Sequence, residues 1–268
     1  MVLEILEVLP EVMTEEKIVI EDEIRAAFIK FAMERLQPEV LKTLNVACSS
    51  QGLKTKRRYQ IINCFQSWMI EQTSEPVKKA IHELNLLPFC YNELKLEGEN
   101  NDEAADAIIS CMHLCSNSFE YQALYQNIIQ GLFSGRERFE HFLSQNSEDE
   151  VYPFISVYSV LVGKILDQML LDPNSEAIKF MLQGIFLKSI QTGLREIVSK
   201  SFHSITTIVK KLKNAAKEDP ERMERVGKFV EVYMPWFEAV IIASCENARL
   251  STVGIYDIDT YDLLRVPE

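Results

Sequence analysis

Glycine is scarce in this chain: nine in 268 residues, about half the usual share of roughly 7%. β-rich folds spend glycine on tight turns, so the shortage favours helices joined by short connections. No apolar run reaches the ~18 residues that a membrane-crossing helix needs, and Glu4 and Glu7 interrupt the first apolar stretch, which argues against a secretory leader. Phosphate-binding glycine loops are missing: neither the Walker pattern nor G-x-G-x-x-G occurs. The stretch GLFSG at Gly131–Gly135 places its serine one position too late for a G-x-S-x-G nucleophile turn. Only four histidines are present, with no His-Glu-x-x-His run and no spacing that suggests a triad.

What is present is an ordinary folding composition, 47% hydrophobic and 25% charged. Net charge is −12, with an isoelectric point near 5.0. A protein that grips a nucleic-acid backbone needs a positive surface, so direct nucleic-acid binding is disfavoured and basic protein partners are favoured. Six cysteines (48, 64, 90, 111, 115 and 245) fall mostly within apolar stripes. Free cysteine in that setting behaves as a small buried hydrophobe, which points to a reducing compartment, cytoplasm or nucleus.

The stretch organising the rest is Lys56–Gln72. Ile61, Ile62, Phe65, Trp68 and Met69 make one apolar stripe at helical spacing, and Gln60, Asn63, Ser67 and Glu71 recur on the other side. The preceding helix, Pro38–Ser50, is the natural partner for that stripe. Further pairs follow: Leu87–Leu94 with Asp102–Ser116, Phe119–Gln145 (broken near Gly135) with Glu148–Leu171, and Asn174–Ile190 with Gly193–Ala216. Glu221–Arg249 is a long helix that Pro235 should kink. Val2–Met13 and Glu21–Leu36 precede the first pair, the latter with Ile24, Ala27, Phe28, Phe31 and Ala32 turned inward. Pro38, Pro76, Pro88, Pro173 and Pro220 each open a helical pattern, where a missing N–H costs nothing.

The first members of the pairs start about 32–55 residues apart, scattered around the ~40–47 residues of a HEAT or armadillo unit. The expected fold is therefore all-α: an irregular α-solenoid of stacked antiparallel hairpins across residues 1–250, five to six pairs incomplete at both ends, then an irregular tail at 251–268. In such a stack the second helices line one continuous face. Their polar stripes supply the candidate partner-binding residues Gln60, Asn63, Ser67, Asp102, Asp106, Ser110, His113, Lys200 and His203. On Gly193–Ala216 the inward set is expected to be Ile197, Phe202, Ile205, Val209 and Leu212.

Cys111, His113 and Cys115 invite a metal reading, but on a helix the two cysteines share a face that His113 does not. Packing is the better account, and no metal, cofactor or catalytic residue is assigned. The acidic runs before Asp102–Ser116 and Glu148–Leu171 suit helix N-termini, where carboxylates stabilise by about 0.3–1 kcal/mol each. Trp68 reads as core.

Taken in order, LEILEVLPEV (Leu3–Val12), RRYQIINCFQSWM (Arg57–Met69) and LLPFCYNEL followed by NDEAADAIISC (Leu86–Cys111) resemble the early-middle HEAT repeats of the β-karyopherins, in the branch containing transportin-SR and importin-thirteen. The resemblance implies a nuclear transport receptor without enzymatic activity. Such a receptor binds protein cargo, the small GTPase Ran and nucleoporins, and moves between cytoplasm and nucleus. None of that family's contact residues carries over to a numbered position. Two rivals remain at this stage. A generic HEAT scaffold or adaptor keeps the fold and changes the partner. An all-α enzyme would need a converging set of carboxylates, for which no D-D-x-x-D motif is present.

Overall fold

A computed structural model of the chain describes residues 9–10, 22–97, 100–115 and 119–254. Most of the expected opening helix Val2–Met13, the connection after it and the tail from residue 255 lie outside the described residues. Every regular element among the described residues is helical. The chain divides into two compact units, Met1–Gln168 and Met169–Glu268.

The first unit contains α1 (Asp22–Phe31), α2 (Gln37–Cys48), α3 (Thr55–Ser67), α4 (Glu75–Ala80), α5 (Leu86–Leu94), α6 (Asn101–Leu114), α7 (Gln122–Phe133), α8 (Arg136–Ser144) and α9 (Glu148–Lys164). Helix α10 (Leu166–Leu171) spans the division between the units. Within the unit, α2 packs on α3, α5 on α6, and α8 on α9, which are the expected hairpins. The second helices also pack on one another in succession, α3 on α6 and α6 on α9, while α2 lies against α5 and α5 against α7. Helix α6 is the hub. Ala104, Ala105, Ala107, Ile108, Cys111 and Met112 are all buried, and small side chains at four of those six positions let neighbours approach on several sides.

Pro38 does not open a new helix after a turn. Residues Ala32–Leu36 form a π-helical turn that runs from α1 directly into α2. The Gln37 N–H reaches the carbonyl of Ala32, five residues back, and the wider turn accommodates the N–H that Pro38 lacks. The expected inward stripe of this stretch is corrected in part: Ile24, Phe28 and Phe31 are about half exposed and Ala27 is exposed, while Ala32 is buried as expected. Helix α1 makes its main contacts with the π turn it enters, so burial starts only at Ala32 and Met33. The break near Gly135 is as expected, with Ser134 and Gly135 separating α7 from α8.

The second unit contains α11 (Glu176–Lys179), a π-helical stretch Phe180–Leu187, α12 (Lys188–Gln191), α13 (Arg195–Ala215) and α14 (Pro220–Gly254). The π stretch and α12 pack against both α13 and α14. Over-wide π turns weaken the regular carbonyl ladder, and here Trp236 Nε1–H donates to the Leu182 carbonyl at 2.6 Å. Helix α14 continues past Pro235 without interruption. On α13 the buried face is Ile197, Ser201, Ser204, Ile205, Ile208 and Leu212. Val209 lies outside it and is exposed, and Phe202 is half buried. Ile197, Ile205 and Leu212 are buried as expected, and two serines complete the face in place of Phe202 and Val209. Ser201 and Ser204 donate to the carbonyls of Ile197 and Lys200, so both can be buried at little cost.

Polar side chains join the layers of the first unit. Asn127 on α7 accepts from Tyr91 Oη–H at 3.0 Å and donates to the His82 carbonyl at 3.1 Å. Tyr125 Oη–H donates to the Cys115 carbonyl at 2.7 Å, satisfying an acceptor that the end of α6 leaves open. The Tyr91 ring lies directly over Gly131, where a Cβ would overlap ring carbons Cδ2 and Cε2. Alanine is favoured over glycine in a helix by about 1 kcal/mol, but overpacking around a ring held at its hydroxyl costs about 1–3 kcal/mol. Gly131→Ala is therefore expected to lower stability by about 1 kcal/mol in urea unfolding; an increase would show that the ring moves freely.

Candidate partner-binding groove

The end of α3 and the end of α6 enclose an open groove of about 510 Å3 in the first unit, lined by Met69, Ile70, Glu71, Gln72, Ser110, His113 and Leu114. Helix α3 was expected to run to Gln72; it stops at Ser67, and residues 68–74 form an irregular wall. Gln37 shapes that wall. Fully buried on α2, its Nε2–H2 donates to the Trp68 carbonyl at 2.6 Å and to Thr73 Oγ1 at 2.9 Å. Thr73 Oγ1–H in turn donates to the Ile70 carbonyl at 2.6 Å. Trp68, with no exposed surface, anchors the wall from below. A carboxamide thus supplies to the loop the hydrogen bonds that a further helical turn would have supplied.

Of the nine candidate residues, seven belong to this unit. Gln60, Asn63 and Ser67 sit half-buried on α3; Asp102, Asp106 and His113 are exposed and Ser110 half-buried on α6, the helix packed beside it. The groove itself brings together only Ser110 and His113. Lys200, half-buried, and His203, exposed, lie on α13 in the second unit. The wall residues Met69 to Gln72 were missed as lining because their periodicity continues the helical pattern of α3. The signal for a stop was Thr73-Ser74 ahead of Pro76, which favours extended backbone before α4.

The surroundings are acidic. Partial desolvation, and then the neighbouring Asp102, raise the Asp106 carboxyl above its ordinary value. Glu71 lines the groove, one wall away from His113. The cysteines of α6 face the other way. Burial pushes the Cys115 thiol up to about 11 and the Cys111 thiol well above its ordinary value, so both remain neutral packing groups. Among the described residues no group of three His, Cys, Asp or Glu is placed to hold a metal ion, and no helix is long and apolar enough to cross a membrane.

A second cleft, about 340 Å3, lies between α3 and α5 and is lined by Thr55, Arg58, Glu93, Leu96, Glu97, Asn100 and Asn101. Its floor is a structural ion pair. Glu93 is almost fully buried and accepts from Arg58, with Nε at 2.7 Å and Nη2 also in contact, and from Asn100 Nδ2 at 3.3 Å. This pair ties α3 to α5 and is occupied with its own charges, so the cleft is a weaker site than the groove.

No protein-family model matches the chain, and no curated protein matches it either. The functional reading therefore stands on geometry and on the sequence resemblance.

Two measurements test the site. Arg58→Met strands the Glu93 carboxylate, and loss of one partner of a buried pair costs about 3–5 kcal/mol; Arg58→Met with Glu93→Leu should recover most of that loss in urea unfolding. A raised Asp106 carboxyl means that the folded chain binds its proton more tightly than the unfolded chain. Its stability contribution is then fullest at low pH and falls as pH rises through the folded value. Asp106→Asn should accordingly raise the thermal midpoint at neutral pH, and the gain should vanish at about pH 3, below the usual aspartate value of ~3.9. A gain independent of pH would remove the electrostatic account.

Proposed function

We propose that this chain is a non-catalytic, HEAT-type α-solenoid of the β-karyopherin kind, which binds protein partners through the polar sides of its second helices. The observation that supports the reading is that α3 packs on α6 and α6 on α9, each the second helix of a hairpin. That is how repeat proteins build an extended binding surface, each hairpin burying the apolar side of the next. Electrostatics supports a basic cargo. The chain carries −12 overall, and the groove between α3 and α6 has Glu71 in its wall with Asp102 and Asp106 further along the same helix as Ser110 and His113. Complementary charge of this sort speeds encounter and selects partners more than it raises affinity.

On this reading Ran is the second partner and nucleoporins the third, and the protein shuttles between cytoplasm and nucleus. Cargo release would follow from small rotations between hairpins summed along the array. The resemblance of Leu3–Val12, Arg57–Met69 and Leu86–Cys111 to transportin-SR and importin-thirteen supports these partners.

The full-length protein on a resin, challenged with Ran locked in its GTP state and with Ran–GDP, is expected to retain the GTP form selectively. Retention of neither form, or of both equally, would remove the transport reading and leave a scaffold of the same fold.

A further inference from the structure

The junction between α7 and α8 gathers cations around one serine. Ser134 is exposed and lies in the break between the two helices, within the run Ser134-Gly135-Arg136-Glu137-Arg138. Its Oγ–H donates to the Gly131 carbonyl at 2.6 Å, and the same Oγ accepts from Lys95 Nζ at 3.0 Å. Lys95 stands just past the end of α5, 39 positions earlier in the chain. Gly135 makes room for that approach, since a Cβ there would come within 3.4 Å of Lys95 Cε and 3.3 Å of the Phe154 ring. Arg138 joins from α8: its Nε donates to the Lys95 carbonyl at 2.9 Å, and its Nη2 holds Glu97 at 2.5 Å. The Arg136 guanidinium lies 4.6 Å over the ring of Phe133, the residue before Ser134. Among the described residues the Lys95 ammonium forms no ion pair, and its hydrogen bond goes to a neutral hydroxyl. A cation held from another helix against that hydroxyl leaves a place for negative charge at the same atom.

We propose that Ser134 is a site of phosphorylation whose phosphate is captured by Lys95, tying the end of α5 to the α7–α8 junction. The phosphoryl donor is a nucleoside triphosphate, delivered by a serine kinase that reads the arginines following its target. In the transfer the Oγ–H proton passes to a base of the kinase and Oγ bonds to the γ-phosphorus. The bond from that phosphorus to its bridging oxygen breaks, and the nucleoside diphosphate leaves. The Gly131 carbonyl loses its donor, while the neutral hydrogen bond from Lys95 gives way to charge-assisted bonds to phosphate oxygens, which are about twice as strong. A phosphoserine carries about −1.5 to −2 charges and several acceptor oxygens at neutral pH, enough to engage an ammonium and a guanidinium together. Glu97 does not compete for Lys95, because Arg138 already holds it. The site is separate from the groove beside α6 and does not depend on Ran or on the transport reading.

The whole chain, treated with ATP and a serine kinase that selects arginine after its target and then mapped by mass spectrometry, is expected to carry phosphate on Ser134. A chain with phosphoserine placed at position 134 by genetic incorporation tests the capture by phosphorus NMR titration. The second ionisation of phosphoserine lies near ~6; in the folded chain it is expected at about 5.5 or below, because the Lys95 cation favours the dianion. Lys95→Met keeps the stem over Gly135 and removes the charge, so it should return the titration to that of the urea-unfolded chain. The phosphate should also raise the urea midpoint of the chain with Lys95 and fail to raise that of Lys95→Met. An unmodified Ser134 after kinase treatment, a folded-state titration equal to the unfolded one, or a lowered titration that survives Lys95→Met would each overturn the proposal.

Discussion

The first unit depends on how closely other helices can approach α6. Its inward positions hold Ala104, Ala105, Ala107 and Cys111, all essentially without exposed surface, and around them gather α3, α5 and α9. Larger residues there would push the layers apart, because protein interiors are packed near crystal density and have little slack. The same helix carries Asp102, Asp106, Ser110 and His113 on its exposed side. One element thus fixes the core and presents the candidate surface, so packing and recognition are coupled within a single helix.

The specific polar contacts serve to fix register rather than to supply the bulk of stability. Asn127 reads the position of α5 and of the 3-10 turn at Ile81–Glu83 simultaneously, and Gln37 fixes the loop that walls the groove. The buried Arg58–Glu93 pair belongs to the same class. Such pairs contribute little net stability against an apolar replacement of both partners, yet cost much when only one is lost. Each of them joins different helices or a helix and a loop, which agrees with a role in setting which element meets which.

Much of the architecture was legible in the residues because helical periodicity is local. The hairpins α2–α3, α5–α6 and α8–α9 followed from apolar spacing, and the Gly135 break from a glycine set inside a long pattern. Burial of Trp68 was also legible, since its neighbours in the stripe were all large and apolar. The errors occurred where a side chain can act in two ways. Pro38 reads as a helix start, yet a π turn carries the helix through it. Phe202 and Val209 read as inward, yet the buried face of α13 runs through Ser201 and Ser204, whose hydroxyls bond to their own helix. Ile24, Phe28 and Phe31 read as core, yet apolarity gives only a tendency to be buried and does not supply a neighbour.

The sequence by itself determined that the chain is helical and acidic and which neighbouring helices pack together, because hydrophobic spacing, glycine scarcity and net charge are properties of the residues alone. Which candidate residues share a groove was decided only by the tertiary structure. Ser110 and His113 meet residues 69–72 because Gln37, more than thirty positions earlier, ends α3 at Ser67 and pins the loop after it. A hydrogen bond across that separation leaves no periodic trace in the chain, so no reading of local pattern could have placed it.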